Sequence, residues 1–188
     1  MAISLLFTGH MVDKPGRPKP RFPADLEKAA SMRIVEAIRS HVPIRPPTTE
    51  AVMGFASGAM GGDILFHEQC RAHGIRTTIV LPFSPDVFVR TSVQGIPHSN
   101  WEHRFWQLWN DTPEARRETM DLPETDEAYG SCNIRLFELA RRHGKVHLIA
   151  LWDGKSSDGP GGTADLVARA SQSSKPDIIE PASLRTGS

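Results

Sequence analysis

Ala51-Val52-Met53-Gly54-Phe55-Ala56-Ser57-Gly58-Ala59-Met60-Gly61-Gly62-Asp63 is the stretch whose reading decides the fold. Six mostly apolar residues, the length of a buried strand, run into a turn that holds three glycines. A helical pattern over 58–73 follows, and Gly74 stands at its C-terminal cap. A strand that feeds a helix through such a turn is the unit from which parallel sheets are built. Glycines there leave bare backbone N–H groups at a helix start, where the helix dipole also favours an anion. A second turn of this kind, Gly159-Pro160-Gly161-Gly162-Thr163, comes shortly after the apolar run Val146 to Trp152. Two such turns in one domain predict a cradle for a phosphate-bearing ligand.

Working outward, Ile3 to Thr8 reads as a buried strand that ends at Gly9-His10. Asp13 to Pro23 holds four prolines and several cations and reads as a loop. Leu26, Ala29, Ala30, Ile34, Ala37 and Ile38 recur at threes and fours, which predicts a helix over 24–42 that Pro43, Pro46 and Pro47 end. Thr77 to Leu81 is the third strand, stopped by Pro82. Residues 86–93 fit a short helix or a turn, 100–110 fit a tryptophan-rich helix, and 116–122 are ambiguous with room for a short strand. A helix over 125–143 capped by Gly144, a strand over 146–152, a helix over 163–171 and a short strand over 177–180 complete the pattern. The fold class expected is a Rossmann-like α/β/α three-layer domain with a mostly parallel sheet of 5–6 strands. Residues 1–181 form one domain, and 182–188 read as a flexible tail.

Composition bounds the partners. The chain has 188 residues, 22 basic and 22 acidic side chains and a formal net charge of zero. Nothing in that balance favours nucleic acid or an anionic membrane. No apolar run approaches the length of a membrane span. Two cysteines, Cys70 and Cys132, are too few for a disulfide scaffold and fit a reducing compartment, so a cytoplasmic location is expected.

Several chemistries fail at the level of motif. The first glycine turn lacks the Lys-Ser/Thr ending of a P-loop, and its spacing is not the dinucleotide fingerprint. His67-Glu68 begins like a zinc-protease helix, but position 71 is Arg. Cys70 with His67 and His73 reads as a buried thiol beside two unrelated histidines. No cofactor and no metal are expected, and no nucleophile elbow supports covalent catalysis.

Ser57-Gly58-Ala59-Met60-Gly61-Gly62-Asp63, with His67, Gly74, Thr78 and Val80-Leu81 after it, resembles the nucleotide-binding stretch of a known superfamily. That superfamily, SLOG, unites DNA-processing protein A (Smf) with the Lonely Guy phosphoribohydrolases. Asp63 and His67 keep the Asp-to-His interval of the first branch. Gly58-Ala59-Met60-Gly61 and Pro160-Gly161-Gly162-Thr163 are similar to the two turns of the second. Leu81-Pro82-Phe83, Trp101, Arg104-Phe105 and Leu151-Trp152-Asp153-Gly154 suit the stand-alone and signalling-associated versions of the domain. The resemblance implies binding or sensing of a nucleotide or nucleotide-derived ligand. A Lonely Guy-type hydrolase of nucleoside monophosphates is the alternative. Such enzymes carry a glutamate after the second turn, whereas Thr163 is followed here by Ala164-Asp165. Single-stranded nucleic-acid binding is the weakest reading, because it wants a basic groove. Lys14, Arg17, Lys19 and Arg21 offer a local patch, yet such a run is more often a solvated loop.

The candidate ligand-binding residues are Gly9, His10, Ser57, Gly58, Ala59, Met60, Gly61, Asp63, Pro82, Arg90, Arg104, Asp153, Gly161, Gly162 and Thr163. Asp63, Glu68 and Asp165 are the candidate catalytic carboxylates. Asp63 and His67, one helical turn apart, are an acid/base pair, or Asp63 holds a ribose hydroxyl and His67 a neighbouring loop, or the two are a structural tie between helix and loop. Arg90 either reaches a phosphate or pairs with Asp86. Trp101, Phe105, Leu108 and Trp109 form a stripe that suits core packing, a subunit contact in a homodimer, or a base stacked on Trp101. Asn133 is placed to face a cleft. Asp153, at a strand end, is placed to hold a ribose hydroxyl.

Overall fold

The computed structural model describes residues 2–42, 51–155, 162–171 and 175–186. Six strands form one sheet: β1 (Ile3–Gly9), β2 (Val52–Ala56), β3 (Arg76–Leu81), β4 (Arg117–Thr119), β5 (Lys145–Leu151) and β6 (Asp177–Ile179). Their spatial order is β4-β3-β2-β1-β5-β6, and every neighbouring pair is parallel. Six α-helices connect them: α1 (Glu27–His41), α2 (Gly62–Ala72), α3 (Pro85–Ser92), α4 (Trp101–Asp111), α5 (Asp126–His143) and α6 (Thr163–Ala170).

The two faces of the sheet can be assigned from the side-chain alternation of its strands. Leu5 and Phe7 of β1, Ile79 and Leu81 of β3, and Ile149 and Leu151 of β5 pack with Ile34 of α1, Ile64 of α2 and Phe105 of α4. Leu6, Val80, Leu148 and Ala150, each one position out of phase with these, pack with Leu136 of α5 and Leu166 of α6. The result is helices on both faces of a parallel sheet, the three-layer arrangement expected. Because β1 is central and covered on both sides, it reads as a mostly apolar run in which Ser4 and Thr8 are buried as well.

Several local expectations change. The helical register over 24–42 divides into a 3-10 turn over Ala24–Leu26 and then α1. The short helix or turn expected over 86–93 is a helix, α3 (Pro85–Ser92), and 116–122 contain β4. Residues 181–186, expected as part of a tail from 182 onward, wind into a 3-10 helix whose Leu184 packs against the core. Gly74 adopts the left-handed conformation of a helix cap (φ +70°), but Gly144 does not. Gly144 is extended, and glycine is required there because a Cβ would lie 2.2 Å from the Ala2 carbonyl oxygen. Helix α2 starts at Gly62 and not at Gly58, since Gly61 turns the chain with φ +100°. The aromatic stripe of α4 is spent inside the chain: Trp101, Phe105, Leu108 and Trp109 are all buried in the core. Among the described residues, no helix is long and apolar enough to cross a membrane.

Candidate functional site

The strand order reverses at β1. Chains leaving β2 and β3 go one way, and β5 and β6 lie on the other side. In an open parallel sheet such a reversal leaves a crevice beyond the carboxyl ends of the two strands. A cavity of about 410 Å³ occupies that place. Thr8, Gly9 and His10 reach it from the end of β1, Ser57, Ala59 and Asp63 from the first glycine turn, and Trp152 from the end of β5. Gly162 and Thr163 enter from the start of α6, so the first glycine turn and the last two residues of the second border one space. Gly161 lies outside the described residues.

Asp63 is the most perturbed charge at the cleft. It is 8% exposed, and its Oδ2 accepts a hydrogen bond from the Ala59 N–H at 3.2 Å. Burial raises its pKa from 3.8 to about 7, against a smaller opposing effect of the Ala59 amide. The bare amide expected to meet a ligand anion at Ala59 is thus already occupied by the protein's own carboxyl. The amide of Gly62 is likewise taken, by the His10 carbonyl at 3.2 Å. His67, one turn along α2, is fully buried, and its Nε2–H donates to the Ser57 carbonyl at 2.7 Å. Burial depresses its pKa to about 4, so the ring is neutral and ties α2 to the turn. Asp63 faces the cleft and His67 does not line it, so they are not an acid/base pair.

His10 and Asp153 form a second polar unit. Arg21 grips Asp153 with two parallel bonds, Nε to Oδ2 at 2.9 Å and Nη2 to Oδ1 at 2.8 Å. That bidentate pair holds the Asp153 carboxyl well below the usual range. His10 Nε2 lies 3.2 Å from the Asp153 backbone N–H and 3.1 Å from Asp153 Oδ1, so the ring meets both the amide and the carboxylate of that residue. Burial and then the Arg21 charge lower the His10 pKa, consistent with a neutral ring. Asp153, expected from its place at a strand end to hold a ribose hydroxyl, is paired with Arg21 and is not among the residues that line the cavity.

Other candidates fall elsewhere. Gly58 packs beneath Phe105, where a Cβ would lie 3.0 Å from Cε2. Met60 is a core residue whose amide donates to the Ser92 carbonyl. Gly61 bridges to Met11 and gives the turn its shape. The Pro82 carbonyl accepts the Leu122 amide at 2.9 Å. Arg90 pairs with Glu124, not Asp86, and both are exposed. Arg104 binds Glu68 bidentately (2.8 and 2.6 Å) and Glu27 at 2.7 Å, with its guanidinium 3.9 Å from the Trp101 ring centre. Glu68 and Arg104 thus tie α1, α2 and α4 together away from the cleft. Asp165 pairs with Arg169 one turn along α6. Of the three candidate carboxylates, Asp63 alone lines the cavity.

Sequence reasoning missed part of the wall. Asp126, Tyr129 and Asn133 of α5 line the cleft, and only Asn133 was singled out. Tyr129 bonds with Thr91 and Ser92 of α3, each at 3.1 Å, which joins the two helices over the cleft. The signal was present: intervals of three and four place Asp126, Tyr129 and Asn133 on one helix face. Arg21 lines the cleft too, although its loop reads as solvated.

No family model matches this chain, and no curated protein matches its sequence. Among solved structures it is similar to DNA processing protein A from Streptococcus pneumoniae, with 12% identity and a TM-score of 0.42. The match covers 97% of this chain and 60% of that one, so this chain spans 60% of that protein's length. The residues of the cleft are read from their own geometry.

Proposed function

We propose that this protein binds a nucleotide or nucleotide-derived small molecule in the cleft beyond β1 and β5, as a sensing or regulatory module. One observation carries the reading. A cavity of about 410 Å³ at the reversal of strand order brings together two helix starts, a buried carboxyl and aromatic rings. With the Ala59 amide taken by Asp63, the phosphate goes to the start of α6, where Gly162, Thr163 and the Thr8 hydroxyl meet. Asp63, poised near neutrality, exchanges hydrogen bonds with a sugar hydroxyl. Trp152 or Tyr129 offers a ring face to the base.

The hydrolase reading has one observation in its favour. A carboxyl whose pKa is about 7 suits general acid/base work near neutral pH. Of the three candidate carboxylates only Asp63 would then be in place to stabilise the developing oxocarbenium charge, since Glu68 and Asp165 are paired elsewhere, with Asp126 the other carboxyl on the cleft wall.

The test is a thermal-shift titration with the four common nucleoside 5′-monophosphates, on the wild type and on Asp63→Asn. Binding raises the melting temperature with concentration, as mass action requires, and Asp63→Asn weakens the response. Chromatography of the same mixtures for released base separates sensing from hydrolysis. No shift with any of the four, nor with the matching 5′-diphosphates and 3′,5′-bisphosphates, ends the nucleotide reading.

A further inference from the structure

The cleft has an annex. A second cavity of about 380 Å³ shares His10, Met11 and Arg21 with the first and extends under the loop between β1 and α1. Its charged lining is mostly cationic: Lys14, Arg17 and Arg21 against Asp13. Resting on the nucleotide reading above, we propose that this annex receives a second phosphoryl group of the same ligand. The ligand class is then a nucleoside diphosphate or bisphosphate, not a monophosphate.

The loop is exposed over residues 14–20, as a solvated run would be, but it is tied at its base. Asp13 and Phe22 close its base: the Asp13 N–H donates to the Phe22 carbonyl at 2.9 Å. Asp13 Oδ2 in turn accepts the N–H groups of Arg21 and Phe22, each at 2.8 Å. Phe22 is fully buried, so the returning strand of the loop is anchored in the core. Arg17 Nε–H donates to the Lys19 carbonyl at 3.1 Å and lies 3.4 Å from Asp13 Oδ1, an ion-pair distance. Lys14 lies across Gly95, where a Cβ would come within 2.9 Å of its Cε and 3.0 Å of its Nζ. The bare glycine gives the ammonium chain its seat. Arg21, bonded to Asp153, stands at the junction of the two cavities. A ligand with one anion at the start of α6 and another in the annex would pass this guanidinium, which lies on the wall of both.

Charge-assisted contacts to phosphate are strong, but these side chains are partly exposed and screened by salt. The second phosphoryl group is therefore expected to tighten binding by about tenfold at low ionic strength. The test compares calorimetric titrations of each nucleoside 5′-monophosphate, 5′-diphosphate and 3′,5′-bisphosphate with the wild type, Lys14→Glu and Lys14→Ala/Arg17→Ala. A diphosphate or bisphosphate that binds about tenfold tighter than its monophosphate supports the annex, provided that both variants erase the ratio. Unliganded melting temperatures identify any variant that fails to fold, and Lys14→Glu, on an exposed side chain, keeps the test open. Monophosphate binding with no preference for a second phosphoryl group overturns the annex and leaves the cleft standing. Preference that survives both variants overturns it as well. Tight binding of a single-stranded oligonucleotide, with no response to any mononucleotide, overturns both readings.

Discussion

Replacing Asp63 by Asn stabilises this protein above neutral pH. Folding raises the Asp63 pKa from 3.8 to about 7, because the buried carboxylate loses its hydration. Below pH 3.8 both folded and unfolded chains carry the proton. Between 3.8 and about 7 the folded state alone keeps it, so stability falls as pH rises. Above 7 both states are ionised and the whole cost remains. A gap of roughly three pH units corresponds to about 4 kcal/mol. This is an upper figure, because the side chain borders a cleft open to water. Asn cannot ionise, and its Oδ1 keeps an acceptor for the Ala59 amide. At about 2–4 °C per kcal/mol for a domain of this size, Asp63→Asn melts up to about 8–16 °C higher at pH 8. At pH 4 the difference shrinks to about 0.6 kcal/mol. The assay is the melting temperature by circular dichroism from pH 4 to 9 for both. His67 acts in the opposite sense: its folded pKa is lowered from 6.5 to about 4, so stability is lost as pH falls through that window. Its effect is common to both proteins, so their difference isolates Asp63. A difference that does not change with pH, or a variant less stable at pH 8, refutes the argument. A more stable variant that responds less to nucleotide marks Asp63 as a group retained for binding at a cost in stability.

Two further substitutions probe the scaffold around the cleft. Gly61→Ala forces a Cβ to within 2.7 Å of the Val12 nitrogen at φ +100°, and chemical denaturation should show a loss of about 3 kcal/mol or more. A cost near zero would mean that the turn is shaped differently. Arg104→Ala removes the bonds to Glu68 and Glu27, whose side chains are about a third exposed, and the stack on Trp101. It should cost about 1–2 kcal/mol and leave nucleotide affinity unchanged. A fall in affinity greater than about threefold would return Arg104 to the cleft.

The residues of the first glycine turn show how far sequence reading carries. Its glycines do serve tight packing, as Gly58 under Phe105 and Gly62 against Gly9 demonstrate. Its chemical residue, Asp63, was legible because a carboxylate at a helix start after a strand has few other places to go. That Asp63 would fill the turn's own amide was not legible, since it depends on a rotamer fixed by packing. Glu68 shows the same limit: a carboxylate on the same helix points to another face and meets Arg104, 36 residues away. The α5 wall was missed for a different reason. Asp126, Tyr129 and Asn133 share a face by spacing alone, but only the crossing of α5 over the sheet turns that face toward the cleft.

The sequence by itself determined the alternation of strands and helices, because apolar periodicity and glycine punctuation act over a few residues. It also placed the β1, β2 and β5 strand ends where a crevice forms. Tertiary structure decided which strands are neighbours and therefore where the order reverses. It decided too that Arg21 would meet Asp153 across 132 residues and take that carboxylate out of the candidate set. Charges find partners through space, and nothing in local spacing encodes a contact that only the assembled sheet brings within 3 Å.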